Sequence, residues 1–172
     1  MTPIEKAGTA NLSAMIAPLE TAIGDPHQGL PEDLFLFVSR ITPLINVDLL
    51  IQDEAGRTLL TWRDDEFFGP GWHIPGGIIR YKELAADRIR ACALTELGAE
   101  VAFDSAPLVI FENIRQHRSR GHFISLLYRC RLLTPLDDTR RASSAPLAGT
   151  WRWHHGCPPD LIEAQADYAP FF

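Results

Sequence analysis

One segment constrains the fold of this 172-residue chain more than any other part of it. A Gly-Gly pair at Gly76-Gly77 precedes a helical pattern that runs from Glu83 to Leu97, and Gly98 ends the pattern as a C-cap. Small or apolar side chains recur on one face of this helix, at Ala85, Ala86, Ile89, Cys92, Ala93 and Leu97. Their small size predicts close packing of the helix against a sheet or another backbone.

Glu96 breaks the pattern of this helix, because it follows Ile89 by seven residues and therefore falls on the apolar face. An unpaired charge is costly there, and the helix dipole disfavours an anion in the last turn. A bound divalent cation would offset both penalties. The alternative is a frayed helix end, where Glu96 reaches solvent or pairs with an arginine. Glu83, near the start of the helix, is explained by a capping role.

The composition describes one compact domain that has no general affinity for polyanions. Hydrophobic residues make up 46% of the chain, charged residues 22%, and the net charge is −6. This balance predicts no nucleic-acid partner and no membrane partner, so a phosphorylated ligand would need local arginines. The three cysteines form no CxxC pair, which favours reduced thiols and a cytoplasmic location. Residues 1–6 do not resemble the start of a signal peptide.

The order of the elements predicts a mixed α/β fold. Helices at 12–23 and 31–41 form an N-terminal helical extension over residues 1–40, and the main domain spans 41–172. The main domain begins with a hairpin, and a helix near 158–166 closes it. The predicted strands are 44–51, 58–62, 100–103, 108–114, 122–133 and 151–153. A mixed sheet with helices on both faces fits this order best.

The spacing around the helix resembles a Nudix box, G-x5-E-x7-R-E-U-x-E-E-x-G-U. Gly77, Glu83, Glu96 and Gly98 keep the register of its first Gly, first Glu, last Glu and last Gly. The positions of its Arg and of two further Glu residues are taken by Ala91, Cys92 and Thr95. This resemblance implies the Nudix α/β/α sandwich.

Residues 39–172 also resemble the GDP-mannose mannosyl hydrolases, whose reduced box ends in Ala-Glu-Leu-Gly where this chain has Thr95-Glu96-Leu97-Gly98. The segments 42–48, 71–77 and 116–117 are similar to theirs as well. This resemblance implies a homodimer and a hydrolase of a nucleoside diphosphate sugar that depends on Mg²⁺ or Mn²⁺. That family attacks the sugar carbon and releases the nucleoside diphosphate.

The resemblance also assigns catalytic and metal-binding roles. Gly76 would offer its carbonyl and Glu96 its carboxylate to the metal. Arg63, Glu96 and His117 would form the catalytic set, with Arg63 on the diphosphate and His117 at the edge of the site. Taken alone, an arginine such as Arg63 is more often a surface cation, and a histidine such as His117 is more often a loop residue.

The substrate-binding residues implied by the resemblance are Asp48, Arg63, Gly77 and Arg80. Asp48 would approach the sugar, although a strand-end hydrogen-bonding role also explains it. A second family arginine is replaced here by Ile78, and Arg80 lies two residues further on.

Other family positions are altered in ways that bear on catalysis. A family tyrosine is replaced by Phe123, and a metal-binding Gln and a general-base His are replaced by Leu147 and Ala148. His154 and His155 lie nearby, but strand alternation sends their side chains to opposite faces.

Three functional hypotheses therefore stay open. The first is hydrolysis at the sugar carbon of a nucleotide sugar, and the second is attack at phosphorus by a Nudix pyrophosphohydrolase. The third is a nucleotide-sugar binding protein without activity. The further metal donors also stay open among Glu112, Gln116 and the Asp137-Asp138 pair.

Overall fold

A computed structural model describes residues 7–172 of the chain. Its α-helices are α1 (Ala7–Ile23), α2 (Glu32–Val38) and α3 (Ala85–Cys92). Its strands are β1 (Leu44–Ile51), β2 (Thr58–Arg63), β3 (Gly71–His73), β4 (Gly76–Ile78), β5 (Val101–Phe103), β6 (Val109–Ile114), β7 (His122–Leu132) and β8 (Trp151–His154).

The strands form two sheets. The larger sheet has the order β4-β1-β7-β5. Strand β5 pairs with residues 130–132 of β7, and β6 pairs with residues 122–127 of the same strand. Strands β1 and β7 run parallel in a register that pairs Leu44 with Phe123 and Ile51 with Cys130, while the other pairs in this sheet are antiparallel. The smaller sheet is antiparallel and has the order β3-β2-β8. The predicted mixed sheet is therefore confirmed.

Alternation along β1 separates two packed layers. Val47, Leu49 and Ile51 belong to the core that also holds Ile89 and Leu97 of the helical segment. Leu50 belongs to a second core, together with Tyr168 of the C-terminal segment. Side chains two residues apart share a face of a strand, so Asp48 faces the C-terminal segment with Leu50. Helical elements thus cover the sheet from both sides, as expected for an α/β/α sandwich.

The predicted hairpin between β1 and β2 is wrong. A turn does connect the strands, closed by Asp53 and Arg57, but only Gln52 and Thr58 pair across it. Beyond this bridge β2 pairs with β3 and β8 in the smaller sheet. Because Leu59 and Leu60 pack into different cores, β2 is buried on both faces, which a simple two-stranded hairpin does not provide.

The helix that carries Glu96 changes character before it ends. The α-helical part stops at Cys92, and Ala93–Leu97 continue as one π-helical turn that Gly98 ends at φ 64°. The predicted stop at Gly98 is therefore confirmed, whereas the predicted α-helix is shorter than expected. Such π-helical turns often occur at functional sites. At the other end, Leu84 is the N-cap and no side chain caps the helix, so the predicted capping role of Glu83 is wrong. Glu83 instead accepts the Arg80 N–H of the preceding turn at 2.8 Å and pairs with Arg88.

The C-terminal segment also differs from the α-helix predicted at 158–166. Its backbone joins β3 through Trp72, which accepts from Ile162 and donates to Asp160. Glu163–Phe171 then form 3-10 turns, with a non-helical break at Gln165. This break lets the amide of Gln165 bond both backbone groups of Ile74, at 2.6 and 3.3 Å. The tertiary contacts of Gln165 replace the regular helix.

The N-terminal helices precede the sheets as predicted, in α1 and α2. The first six residues of the extension at 1–40, including the segment compared with a signal peptide, lie outside the described residues. From residue 7 onward, no helix combines the length and apolar character needed to cross a membrane. The domain boundary at 40/41 and the cytoplasmic location stay predictions.

Packing under Gly77 gives a first test of this architecture. A Cβ on Gly77 would lie 2.8 Å from Sγ of Cys92, so we expect Gly77→Ala to lower the free energy of unfolding by about 1–3 kcal/mol. Adding Cys92→Ala removes the sulfur, and the double variant should recover part of the loss. Urea denaturation followed by tryptophan fluorescence measures both effects. If the double variant lost as much stability as the two single variants together, this packing would be contradicted.

Candidate active site

The carboxylate of Glu96 joins three elements of the fold. Its Oε1 accepts the Gly76 N–H of β4 at 3.0 Å, and its Oε2 accepts the Thr61 hydroxyl of β2 at 3.0 Å. Nε2 of His73 lies 3.4 Å from the same Oε2. The side chain of Glu96 is 23% exposed, so it neither extends into solvent nor pairs with an arginine. Of the two alternatives raised by the sequence, the frayed helix end is therefore excluded.

Gly76 meets Glu96 through its N–H, whereas the family resemblance implied a role for its carbonyl. In the ladder with β1, the Leu49 N–H bonds the Pro75 carbonyl and the Ile79 N–H bonds the Ile45 carbonyl. The alternation of an antiparallel pair places Gly76, opposite Asp48, at a position without ladder hydrogen bonds. Both backbone groups of Gly76 thus point away from β1, on the side where Glu96 lies.

A cleft opens beside this carboxylate. We call it the Glu96 cleft, and its lining includes Thr61, Arg63, Asp64, His73, Gly76, Glu96 and Ala148. Asp64 is an exposed second acid on this cleft that sequence reasoning missed. Glu112 instead lies near His122, and the Asp137 carboxylate bonds Thr139 and Arg140. Neither these acids nor Gln116 line the Glu96 cleft.

The donors of the Glu96 cleft fit one kind of metal site. Within residues 7–172 no three His, Cys, Asp or Glu side chains gather closely enough to hold an ion by themselves. Mg²⁺, however, is commonly bound by one or two carboxylates together with water and substrate phosphates. Glu96, the Gly76 carbonyl and Asp64 supply oxygen donors of this type. The set therefore fits an ion shared with a phosphorylated ligand and does not fit an all-protein cage.

His73 is a second residue that sequence reasoning missed. Its Nδ1 lies 2.9 Å from the Thr61 carbonyl, which can only accept, so Nδ1 carries the proton. Nε2 of the same ring lies 3.3 Å from the Thr61 hydroxyl oxygen and 3.4 Å from Glu96 Oε2. The segment 71–77 contains His73, but nothing in its spacing distinguishes this histidine from a turn residue.

A second cleft adjoins the first and shares Arg63, His73 and Gly76 with it. We call it the Asp48 cleft; its cavity volume is about 100 Å³, and it opens to solvent. A ligand would therefore fill this cavity with only one part and extend through the open mouth. Its lining includes Asn46, Asp48, Arg63, Gly77, Ile78, Asn113, Arg120, Phe123, Ser125, Gln165 and Tyr168.

Asp48 lies at the base of this second cleft and is only 4% exposed. It accepts hydrogen bonds from the Tyr168 hydroxyl, from Asn46 Nδ2 at 2.6 Å and from Gln165 Nε2 at 3.4 Å. Burial raises the pKa of Asp48 to about 7, although the Tyr168 hydrogen bond works in the opposite direction. A buried carboxyl that changes charge near neutral pH is typical of a functional site.

Arg63 lies where the two clefts meet, at the end of β2. Its Nε donates to the Asp65 carboxylate, and its guanidinium lies 5.3 Å from the centre of the Phe68 ring. Arg63 is therefore partly neutralised but still faces both clefts. It is the predicted residue best placed to contact a ligand that spans them.

Arg120 is a further arginine of the Asp48 cleft that sequence reasoning missed. Its guanidinium lies between 5.1 and 5.9 Å from the centres of four phenylalanine rings, those of Phe35, Phe67, Phe68 and Phe123. Burial lowers the pKa of Arg120 to about 10, with a smaller contribution from Arg63. It remains a cation at neutral pH.

The other predicted site residues are spread around the clefts. Gly77 lines the Asp48 cleft, whereas Arg80 donates to the His27 carbonyl at 2.9 Å and lines neither cleft. His117 packs its ring 5.3 Å from Phe68, and its Nδ1 accepts the Arg120 N–H at 2.9 Å. His117 thus supports the wall of the Asp48 cleft and does not line it.

The altered family positions can also be placed. Ile78 and Phe123 line the Asp48 cleft, and Ala148 lines the Glu96 cleft, while Leu147 is 73% exposed. The His154 ring packs 4.5 Å from Trp72, and burial lowers its pKa. Neither His154 nor His155 lines a cleft.

Known proteins share this architecture. A family model described as the NUDIX domain matches residues 42–160. A MutT NUDIX hydrolase from Burkholderia pseudomallei is 20% identical, with 75% of this chain and 97% of that chain covered and a TM-score of 0.57. A solved UDP-X diphosphatase is 18% identical, with coverages of 92% and 87% and a TM-score of 0.55.

A relative from Haloferax volcanii, the low-salt glycan biosynthesis protein Agl8, is 34% identical over 80 residues. The match covers 46% of this chain and spans about half of the relative, 51% of its length. The family model covers most of this chain, and it ends before the C-terminal turns that hold Gln165 and Tyr168. The chain therefore belongs to the Nudix family and has the fold of its hydrolases.

Proposed function

We propose that this protein is a metal-dependent hydrolase of a nucleoside diphosphate sugar that resembles GDP-mannose. The proposal depends on one observation: the half-buried Glu96 carboxylate lies beside Gly76 in a cleft that joins, through Arg63, a second cleft lined by polar side chains. The Glu96 cleft would take the metal, the diphosphate would lie where the two clefts meet at Arg63, and the Asp48 cleft would take the group linked to it.

The relatives support this substrate class. Agl8 takes part in glycan biosynthesis by its name, and the UDP-X diphosphatase acts on a nucleoside diphosphate linked to another group. The resemblance of residues 39–172 to the GDP-mannose mannosyl hydrolases points to a sugar as that group. Several amide and hydroxyl side chains in the Asp48 cleft, Asn46, Asn113, Ser125 and Gln165, are suited to binding sugar hydroxyls.

The residues of this chain would divide the work as follows. Glu96 and the Gly76 carbonyl hold the metal, which neutralises charge on the departing nucleoside diphosphate when bound. Arg63 binds the diphosphate, and Asp48 binds the sugar. Water adds its oxygen to the sugar carbon, the bond from this carbon to the diphosphate breaks, and the nucleoside diphosphate leaves with the electron pair. The proton that the water loses passes to solvent.

A second candidate function has an observation of its own. Ala148 lines the Glu96 cleft at the position where the family carries its general base, and its methyl group cannot take a proton. Loss of a general base costs a factor of about 10²–10⁴ in rate. If the protein binds its ligand in these clefts without turnover, it is a nucleotide-sugar binding protein. If water instead attacks phosphorus, it is a pyrophosphohydrolase.

Substitution of Glu96 tests the metal-dependent hydrolase. Glu96→Gln keeps the size of the side chain but removes the charge, and we expect turnover to fall by at least about 10²-fold. The assay offers a panel of nucleoside diphosphate sugars with Mg²⁺ or Mn²⁺ and resolves products by chromatography. The exposed Glu100 gives a matched control, since Glu100→Gln should leave turnover unchanged.

The products decide among the three functions. A nucleoside diphosphate and free sugar would support the proposal, whereas a nucleoside monophosphate and sugar phosphate would establish attack at phosphorus. Tight binding without products across the panel would establish a binding protein. Turnover by Glu96→Gln at the wild-type rate would exclude the metal role of Glu96.

The buried Asp48 gives a test by pH. The pKa of Asp48 rises from 3.8 to about 7 on folding, so the folded protein holds a proton that the unfolded chain releases between these values. The stability of wild type relative to Asp48→Asn should therefore be greatest below about pH 4 and fall as the pH rises to 7. The slope is at most about 1.4 kcal/mol per pH unit.

Urea denaturation of both proteins at several pH values in EDTA measures this difference. A difference that stays constant from pH 4 to pH 7 would show that Asp48 keeps its ordinary pKa, and a rise would show that its carboxylate is stabilised by folding.

We further infer a homodimer, which the family resemblance implies. Apolar side chains of α1 are exposed, namely Leu12, Met15, Ile16 and Leu19, with exposed fractions of 41–62%. Burial of such a patch against a second copy would remove apolar surface from water. Sedimentation velocity should give twice the mass of 19.2 kDa. A monomer at all concentrations would contradict the dimer.

A further inference from the structure

Arg120 is held at the Asp48 cleft by aromatic rings from three separate parts of the chain. Phe35 belongs to α2, Phe67 and Phe68 follow β2, and Phe123 belongs to β7. A guanidinium surrounded in this way keeps its charge and has few alternative conformations, because the rings attract the cation and fill the space around it. The arginine is therefore positioned before any ligand arrives.

Asp65, which already pairs with Arg63, acts on the charge of Arg120 from nearby, but Arg120 itself forms no salt bridge within residues 7–172. The neighbouring arginines of the cleft do form one, since Arg63 pairs with Asp65 and Arg115 pairs with Asp167 at 2.9 Å. Nε of Arg120 is buried and makes no hydrogen bond within the described part of the chain. An oriented cation with a buried donor and no salt bridge of its own is suited to an anion from outside the protein.

Arg63 and Arg120 both lie against Phe68. The guanidinium carbons are 5.3 Å and 5.1 Å from the centre of this ring, and both residues line the Asp48 cleft. Two like charges held near one ring repel each other, and an anion that contacts both would relieve the repulsion. A diphosphate carries several negative charges and offers oxygens to two guanidinium groups at once.

We propose that Arg120 binds the diphosphate of the substrate together with Arg63, and that Phe35 is the positioning residue that holds Arg120 in place. The substrate class rests on the proposed function. Nothing in the sequence pattern or in the family resemblance assigns Arg120, which lies on the loop before β7.

The role of Phe35 has a structural consequence. The family match begins at residue 42, so α2 lies before it, yet α2 supplies one of the four rings around Arg120. The N-terminal segment would therefore set the affinity for substrate, although it contributes no residue to the Glu96 cleft. Phe37 on the same helix is 46% exposed and contacts Arg40 instead, which makes it a matched control.

Binding of inorganic pyrophosphate in EDTA tests the proposal without the metal and without a choice of base or sugar. We expect wild type to bind pyrophosphate in isothermal titration calorimetry, and Arg120→Gln to weaken binding about 10–100-fold because charged hydrogen bonds are lost. Arg118→Gln, an exposed change two residues away, should leave the dissociation constant within about twofold. Arg120→Lys should restore only part of the affinity, because it keeps the charge but not the planar donor group.

Phe35→Ala should also weaken pyrophosphate binding, whereas Phe37→Ala should not. Thermal melting identifies any variant that has lost its fold. Phe37→Ala controls for the loss of an aromatic side chain from α2, and Arg118→Gln controls for the loss of one positive charge. The proposal is overturned if wild type does not bind pyrophosphate, if Arg120→Gln binds as wild type does, or if Arg118→Gln weakens binding equally.

The outcome is separate from that of the hydrolase assay. Pyrophosphate binding that depends on Arg120 in a protein without turnover would support the arginine pair and contradict the hydrolase. Turnover that depends on Glu96 in a protein whose Arg120→Gln variant keeps full affinity would support the hydrolase and contradict the arginine pair.

Discussion

The site depends on a half-buried carboxylate that is held by both sheets. Glu96 leaves the end of the helical segment, accepts a hydroxyl from β2 in the smaller sheet and accepts a main-chain N–H from β4 in the larger one. A carboxyl group is tolerated in this position because its oxygens are hydrogen-bonded and one side faces a cleft. On that side a cation would bind.

The two clefts are built from different parts of the chain. The Glu96 cleft uses only residues within the family-matched region, such as Thr61, Gly76 and Ala148. The Asp48 cleft also uses Gln165 and Tyr168, which follow that region. In the proposed function this arrangement would separate the holding of a metal near phosphates from the recognition of the rest of the ligand. Changes in the segment that follows the matched region would then alter ligand recognition without disturbing the helix that carries Glu96.

Much of the fold could be predicted because it depends on local patterns. The apolar stripe that ends at Leu97 and the Gly98 stop depend on residues within a few turns of helix. The position of Glu96 on that stripe also indicated that it faces the interior. The separation of β1 and β2 into two sheets could not be predicted, since it depends on pairing with β8 about 90 residues later in the chain.

The residues that sequence reasoning missed share a cause. His73 is defined by its contact with Thr61, and Arg120 by rings from three distant segments, so neither carries a periodic signal in the sequence. Gln165 breaks a predicted helix because its amide bonds the backbone of Ile74. The roles implied by family resemblance for Arg80 and His117 stay predictions, and both side chains lie outside the clefts.

The central claim is that Glu96 and Gly76 together hold a divalent ion. The most direct measurement is anomalous diffraction from crystals grown with Mn²⁺ and a nucleoside diphosphate. We expect a manganese peak about 2.2 Å from a Glu96 carboxylate oxygen and from the Gly76 carbonyl, with diphosphate oxygens completing the coordination. Clear density for the bound nucleotide, with no manganese at Glu96 or with manganese held only elsewhere, would contradict the account.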